Sequence, residues 1–105
     1  MRALLVTEPG RIEVAEVPVP GIGEYDCLVR VRACAFCNGT DTKLIEGTFP
    51  GTRSHPFIVG HESVGEVVEV GARVRKFKVG DLVLRPTACY AADFPARVDC
   101  AWGGF

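Results

Sequence analysis

The chain has 105 residues, 48% of them hydrophobic, and a formal net charge of −1. That length suits one small domain able to bury a core. A charge this close to neutral lacks the basic excess that nucleic acid or an anionic membrane surface selects, which excludes both as partners. No apolar run approaches the roughly 20 residues of a transmembrane helix. The N-terminal run Met1-Arg2-Ala3-Leu4-Leu5-Val6 meets Glu8 and Pro9 too early for a signal peptide. Five cysteines are an odd number, so thiols held for burial or metal are expected rather than a disulfide framework, and the location expected is cytoplasmic.

In chain order, Arg2 to Thr7 predicts a strand ended by the turn Glu8-Pro9-Gly10. Arg11 to Val17 alternates at period two and predicts the return strand of a hairpin, with Ile12 and Val14 inward. Two prolines in Pro18 to Gly23 keep that segment out of any ladder. Asp26 to Ala35 alternates again, placing Arg30 and Arg32 on one solvated face. Phe36 to Asp41 breaks the pattern at Asn38-Gly39, a turn pair. Thr40 or Asp41 is expected to cap a short helix over Thr42 to Glu46, and Gly47 to end it. A loop follows to Ser54, with His55 expected to be exposed. Ser63 to Val70 predicts a buried strand. Gly71 to Asp81 predicts turn, short strand and turn, and Leu82 to Leu84 a last strand before Pro86. Ala88 to Gly104 has no strong period. Many short strands punctuated by Gly and Pro, with one or two helical turns, predict a small antiparallel barrel or sandwich. The final aromatic, Phe105, leads to the expectation that a longer protein continues beyond it.

One stretch carries chemistry: Gly60-His61-Glu62-Ser63-Val64-Gly65-Glu66-Val67-Val68-Glu69-Val70-Gly71. Cys37, His61 and Glu62 offer thiolate, imidazole and carboxylate, a donor set zinc accepts while leaving a fourth position for water or substrate. Adjacent His and Glu point to opposite faces of a regular strand, so sharing one metal requires irregular backbone, which Gly60 permits. Asp41 is a candidate acceptor for the imidazole N–H of His61. The alternative for His61 is a core histidine with a satisfied hydrogen bond. Cys34-Ala35-Phe36-Cys37 has redox spacing without the surrounding βαβ pattern, and Cys34 is expected to be a buried small hydrophobe. Burial is likewise expected of Cys27, Cys89 and Cys100.

Gly60-His61-Glu62-x-x-Gly65-x5-Gly71 resembles the zinc signature of the medium-chain alcohol and polyol dehydrogenases. Val74-x-x-Phe77-x-Val79-Gly80-Asp81-x-Val83 is similar to the segment that follows it there. Cys37 to Asp41 resembles their Cys-Gly-Ser/Thr-Asp turn, and Gly103-Gly104-Phe105 the start of a Gly-x-Phe-Ala-Glu-Tyr strand. The likeness covers essentially the whole chain. It implies a mainly β fold: the GroES-like, partly open antiparallel β-barrel that forms the N-terminal catalytic domain of these enzymes, here residues 1–105, with the Rossmann domain absent. It implies zinc ligands at Cys37, His61 and Glu62, a proton-relay hydroxyl at Thr40 and a histidine-orienting carboxylate at Asp41. The turn Cys37-Asn38-Gly39-Thr40-Asp41 departs from the family by one extra residue. Cys89 and Cys100 cannot supply the four close cysteines of the family's second, structural zinc, so one catalytic zinc is expected. No Gly-x-Gly-x-x-Gly follows a strand, so NAD or NADP belongs to a parent enzyme acting on a small alcohol or polyol, and the 105 residues alone are expected to be inactive. Two other readings stand beside this one. The first is the zinc-free quinone-reductase-like branch, and the second is a stand-alone GroES-like binding or co-chaperonin module.

Overall fold

A computed structural model describes residues 1–50 and 54–85. The elements are β1 (Arg2–Glu8), β2 (Arg11–Glu16), β3 (Cys27–Ala35), α1 (Thr40–Glu46), β4 (Phe57–Ile58), β5 (Glu62–Val70) and β6 (Leu82–Leu84). They form two three-stranded antiparallel sheets, ordered β2-β1-β4 and β3-β5-β6. Among the described residues the sheets do not close on one another, so the GroES-like β fold is partly open. No described helix is long and apolar enough to cross a membrane.

The first sheet carries the core. Val6, Leu44, Phe57 and Val59 are buried together, with Leu4, Ile45 and Phe49 packed around them. Leu44 therefore anchors α1 to β1 and β4. The helix stops where Gly47 turns left-handed and its N–H caps the Leu44 carbonyl, as predicted. The hairpin turn is tied to the same helix, Gly10 N–H donating to the Ile45 carbonyl at 2.7 Å.

The second sheet is organised on β5, which pairs with β3 from Ala35↔Glu62 to Cys27↔Val70 and with β6 through Val64↔Leu84. Val67 is its fully buried side chain. The spaced glycines of the β5 stretch mark close backbone crossings. A Cβ at Gly65 would meet the Arg30 carbonyl at 2.6 Å, and one at Gly71 the Gly23 carbonyl at 2.3 Å.

Five expectations change. Ile12 and Val14 face outward, 47% and 70% exposed, because alternation fixes a shared face without supplying a layer to cover it. The predicted strand within Gly71 to Asp81 is a series of turns: Arg73 N–H donates to the Glu24 carbonyl, Val74 to Gly71 and Asp81 to Lys78, and only the end of the segment, Gly80 and Asp81, meets β5, at Val67. The helix begins at Thr40, with Gly39 as its cap and no side-chain capping bond. His55 is half-buried, its ring 5.1 Å from that of Phe57. Cys34 is exposed rather than buried. The expectations for Cys89, Cys100 and Gly103-Gly104-Phe105 lie outside the described residues.

Candidate metal centre

The site forms at one end of the second sheet, where β3 and β5 pair through Ala35↔Glu62. From one side comes the turn after β3. Cys37 N–H donates to Asp41 Oδ2 at 2.9 Å, and Asp41 N–H donates back to the Cys37 carbonyl at 2.9 Å. This reciprocal pair fixes Cys37 against the first turn of α1 despite the extra residue in Cys37-Asn38-Gly39-Thr40-Asp41. It also explains why Asp41 does not cap the helix: its carboxylate is used elsewhere.

The other Asp41 oxygen, Oδ1, lies 3.0 Å from His61 Nδ1, with both residues almost fully buried. An ionised carboxylate only accepts, so Nδ1 carries the proton and Nε2 keeps its lone pair. This is how a carboxylate fixes the tautomer of a metal-binding imidazole.

From the second side comes the start of β5. Gly60 has φ +110°, a conformation that side chains disfavour, and a Cβ there would also meet Cys34 Sγ at 2.9 Å. His61 therefore stands just outside the pleat that begins at Glu62. The usual rule of opposite faces is suspended, and His61 Nε2 sits 4.0 Å from Glu62 Oε1. The donor atoms of Cys37, His61 and Glu62 all lie within 4.8 Å of one another. Tetrahedral zinc, with bonds of about 2.0–2.3 Å, needs donors about 3.5 Å apart. The Glu62 side chain, 48% exposed, has the freedom to close the difference.

The Cys37 thiol is held below its ordinary pKa. The Thr40 N–H contributes most, then the Thr40 hydroxyl and the Gly39 N–H, while burial opposes. Hydrogen bonds to the thiolate favour the form that binds metal. His61 and Glu62 also line a shallow concavity with Ala33, Ala35, Val64, Leu84 and Arg85.

The structure thus brings together Cys37, His61 and Glu62, sets Asp41 on His61, and points Thr40 at Cys37. Cys27 stands at the far end of β3, opposite Val70. The sequence reading passed over Arg85, whose guanidinium donates to the Gly60 carbonyl at 2.5 Å. No motif signals that contact, which depends on the β5–β6 register.

Residues 23–104 match the family model of the alcohol dehydrogenase GroES-like domain. The chain belongs to that family. This GroES-like domain is 45% identical over 87 residues to the L-threonine 3-dehydrogenase of Pseudoalteromonas translucida, covering 79% of this chain and 25% of that protein. It superposes on a zinc-dependent alcohol dehydrogenase 2 from Streptococcus pneumonia, in its apo form, with a TM-score of 0.80 and 33% identity, over 97% of this chain and 32% of that one. A mycobacterial quinone oxidoreductase gives a TM-score of 0.68 at 33% identity, over 80% of this chain and 27% of that one. The chain spans about a quarter of the length of the curated relatives it matches.

Proposed function

We propose that this GroES-like domain is the zinc-holding catalytic part of an NAD(P)-dependent medium-chain dehydrogenase acting on a small alcohol or polyol. One observation carries the reading: thiol, imidazole and carboxylate donors converge within 4.8 Å, with Asp41 Oδ1 3.0 Å from Nδ1 of His61. Cys37, His61 and Glu62 would hold one zinc, without a second, structural zinc. Bound there, zinc supplies Lewis acidity toward the alcohol oxygen, while the hydride acceptor is NAD or NADP from a nucleotide-binding domain. The chain's own residues do the rest. Asp41 keeps His61 in one tautomer and one orientation. The Thr40 hydroxyl, beside Cys37, receives the alcohol proton and passes it outward. Ala33, Ala35, Val64 and Leu84 offer an apolar wall to the substrate carbon chain.

Without a nicotinamide site these 105 residues transfer no hydride alone. A free thiol of lowered pKa suits a reducing compartment, which supports a cytoplasmic location.

The zinc-free quinone-reductase reading draws on one observation, the likeness to the mycobacterial quinone oxidoreductase. The donor cluster of Cys37, His61 and Glu62 supports the zinc reading over this one.

Metal analysis of the purified chain beside His61→Ala tests the proposal. The expected result is about one zinc per chain, absent from the variant. A folded chain that takes up no zinc when zinc is added overturns it.

A further inference from the structure

We propose that Arg85 is a positioning residue of the metal centre: it clamps the carbonyls on either side of His61 and Glu62 and so sets the spacing of those two donors. The inference rests on the zinc reading above. Arg85 follows β6 directly, and its N–H donates to the Ser63 carbonyl at 2.9 Å, extending the β5–β6 ladder by one rung. Its guanidinium then reaches back to the Gly60 carbonyl at 2.5 Å. One residue therefore grips the chain at 60 and at 63, and the two candidate ligands lie between those points.

The Gly60 carbonyl shares a planar peptide unit with the backbone nitrogen of His61. Fixing that oxygen fixes the plane from which the His61 side chain departs. Gly60 is also the position where the backbone is least constrained by its own residue, with φ +110° and no side chain. A glycine turn of that kind needs an external hold if it is to keep one orientation. Asp41 holds the imidazole at its ring, and Arg85 holds the same residue at its backbone, from the opposite sheet edge. The Ser63 contact, made by the Arg85 backbone N–H, holds the strand just after Glu62.

The test measures zinc affinity by chelator competition for the wild-type chain, Arg85→Met and Arg85→Lys, with the melting temperature of each metal-free chain recorded in parallel. Removing an outer partner of a metal ligand typically weakens binding about 10–100-fold, and Arg85→Met is expected to fall in that range. Arg85→Lys, which keeps a cationic donor, is expected to recover most of the loss, and the three metal-free chains to melt together. Cobalt loading adds a spectroscopic readout: the visible band of the bound ion should shift in Arg85→Met and return toward wild type in Arg85→Lys. Wild-type affinity and an unshifted band in Arg85→Met overturn the positioning role and leave the zinc site intact. A metal-free Arg85→Met chain that melts well below wild type overturns it too, by making Arg85 a general structural residue. A folded wild-type chain with no affinity for zinc removes the zinc reading and this inference with it.

Discussion

The two sheets divide the work unequally. The β2-β1-β4 sheet, with α1 packed on it, holds the buried cluster Val6, Leu44, Phe57 and Val59. The β3-β5-β6 sheet buries Val67 completely but leaves Val31, Leu82 and Leu84 more than half exposed. Yet His61 and Glu62 belong to the second sheet, and Cys37 follows its strand β3. The candidate donors thus stand on the thinly covered side and are oriented by a residue, Asp41, that rides on the helix anchored to the well-packed side. Donor atoms need access to substrate, and their supports need burial. The fold joins the two requirements through Asp41, which hydrogen-bonds both Cys37 and His61.

The sharpest way to break that comparison is Leu44→Ala. Leucine-to-alanine changes at fully buried sites cost about 2–5 kcal/mol, and denaturant unfolding should register a loss in that range. Zinc uptake should fall as well, because Asp41 moves with α1. Leu84→Ala, on the exposed edge, should change stability by less than about 0.5 kcal/mol. Equal costs at the two positions would mean that the second sheet is as firmly packed as the first.

A smaller effect is expected at Cys37. Its lowered pKa means that the thiolate forms at lower pH than in a free cysteine. The sign follows: any stabilisation from that ionisation is present above the unfolded-state value and is lost as pH falls through the folded-state one. In a metal-free variant keeping Cys37 as its sole thiol, the pH midpoint of alkylation should lie below the ordinary value of about 8.5. Thr40→Val should raise the midpoint. An unchanged midpoint would detach the Thr40 hydroxyl from the thiol, since the backbone N–H of residue 40 remains in the variant.

The smallest effect belongs to the ion pair of Arg32 and Glu66 across β3 and β5. The Arg32 hydrogen bond, then its charge, hold the Glu66 carboxyl below its usual range. Both side chains reach solvent, so Arg32→Ala should lower stability only slightly, and less at high salt. The contribution should be present at neutral pH and vanish as acid protonates Glu66.

Much of this was legible in the residues. Period-two alternation marked β2 and β3, and apolar runs marked β1 and β5, each to within a residue or two, and Gly47 ended the helix where expected. The Gly60-His61-Glu62 stretch announced its own irregularity, since two adjacent donors can meet only where the pleat fails. Coverage was not legible. Val14 and Leu84 look like core residues in one dimension, and only the layer order shows them exposed. Competition for a side chain was equally hidden: Asp41 reads as a helix cap until Cys37 N–H and His61 are seen to claim both its oxygens. The short strand expected within Gly71 to Asp81 failed for a related reason. Arg73 N–H goes to the Glu24 carbonyl and Val74 N–H to a local turn, a choice that depends on a segment some 50 residues away in sequence.

The Asp41 carboxylate has one further consequence. Its two oxygens serve two donors, the Cys37 amide and His61 Nδ1–H, so donor and acceptor counts match only while both atoms are oxygen. Exchanging one oxygen for NH2, as in Asp41→Asn, keeps shape and volume but reverses the parity. With the amide oxygen on Cys37 N–H, the NH2 faces His61 and forces Nδ1 to become an acceptor. The ring proton then moves to Nε2 and occupies the lone pair that faced the donor cluster. A buried one-atom change would thus act at a distance as a tautomer lock, silencing the imidazole as a ligand while leaving every side chain in place.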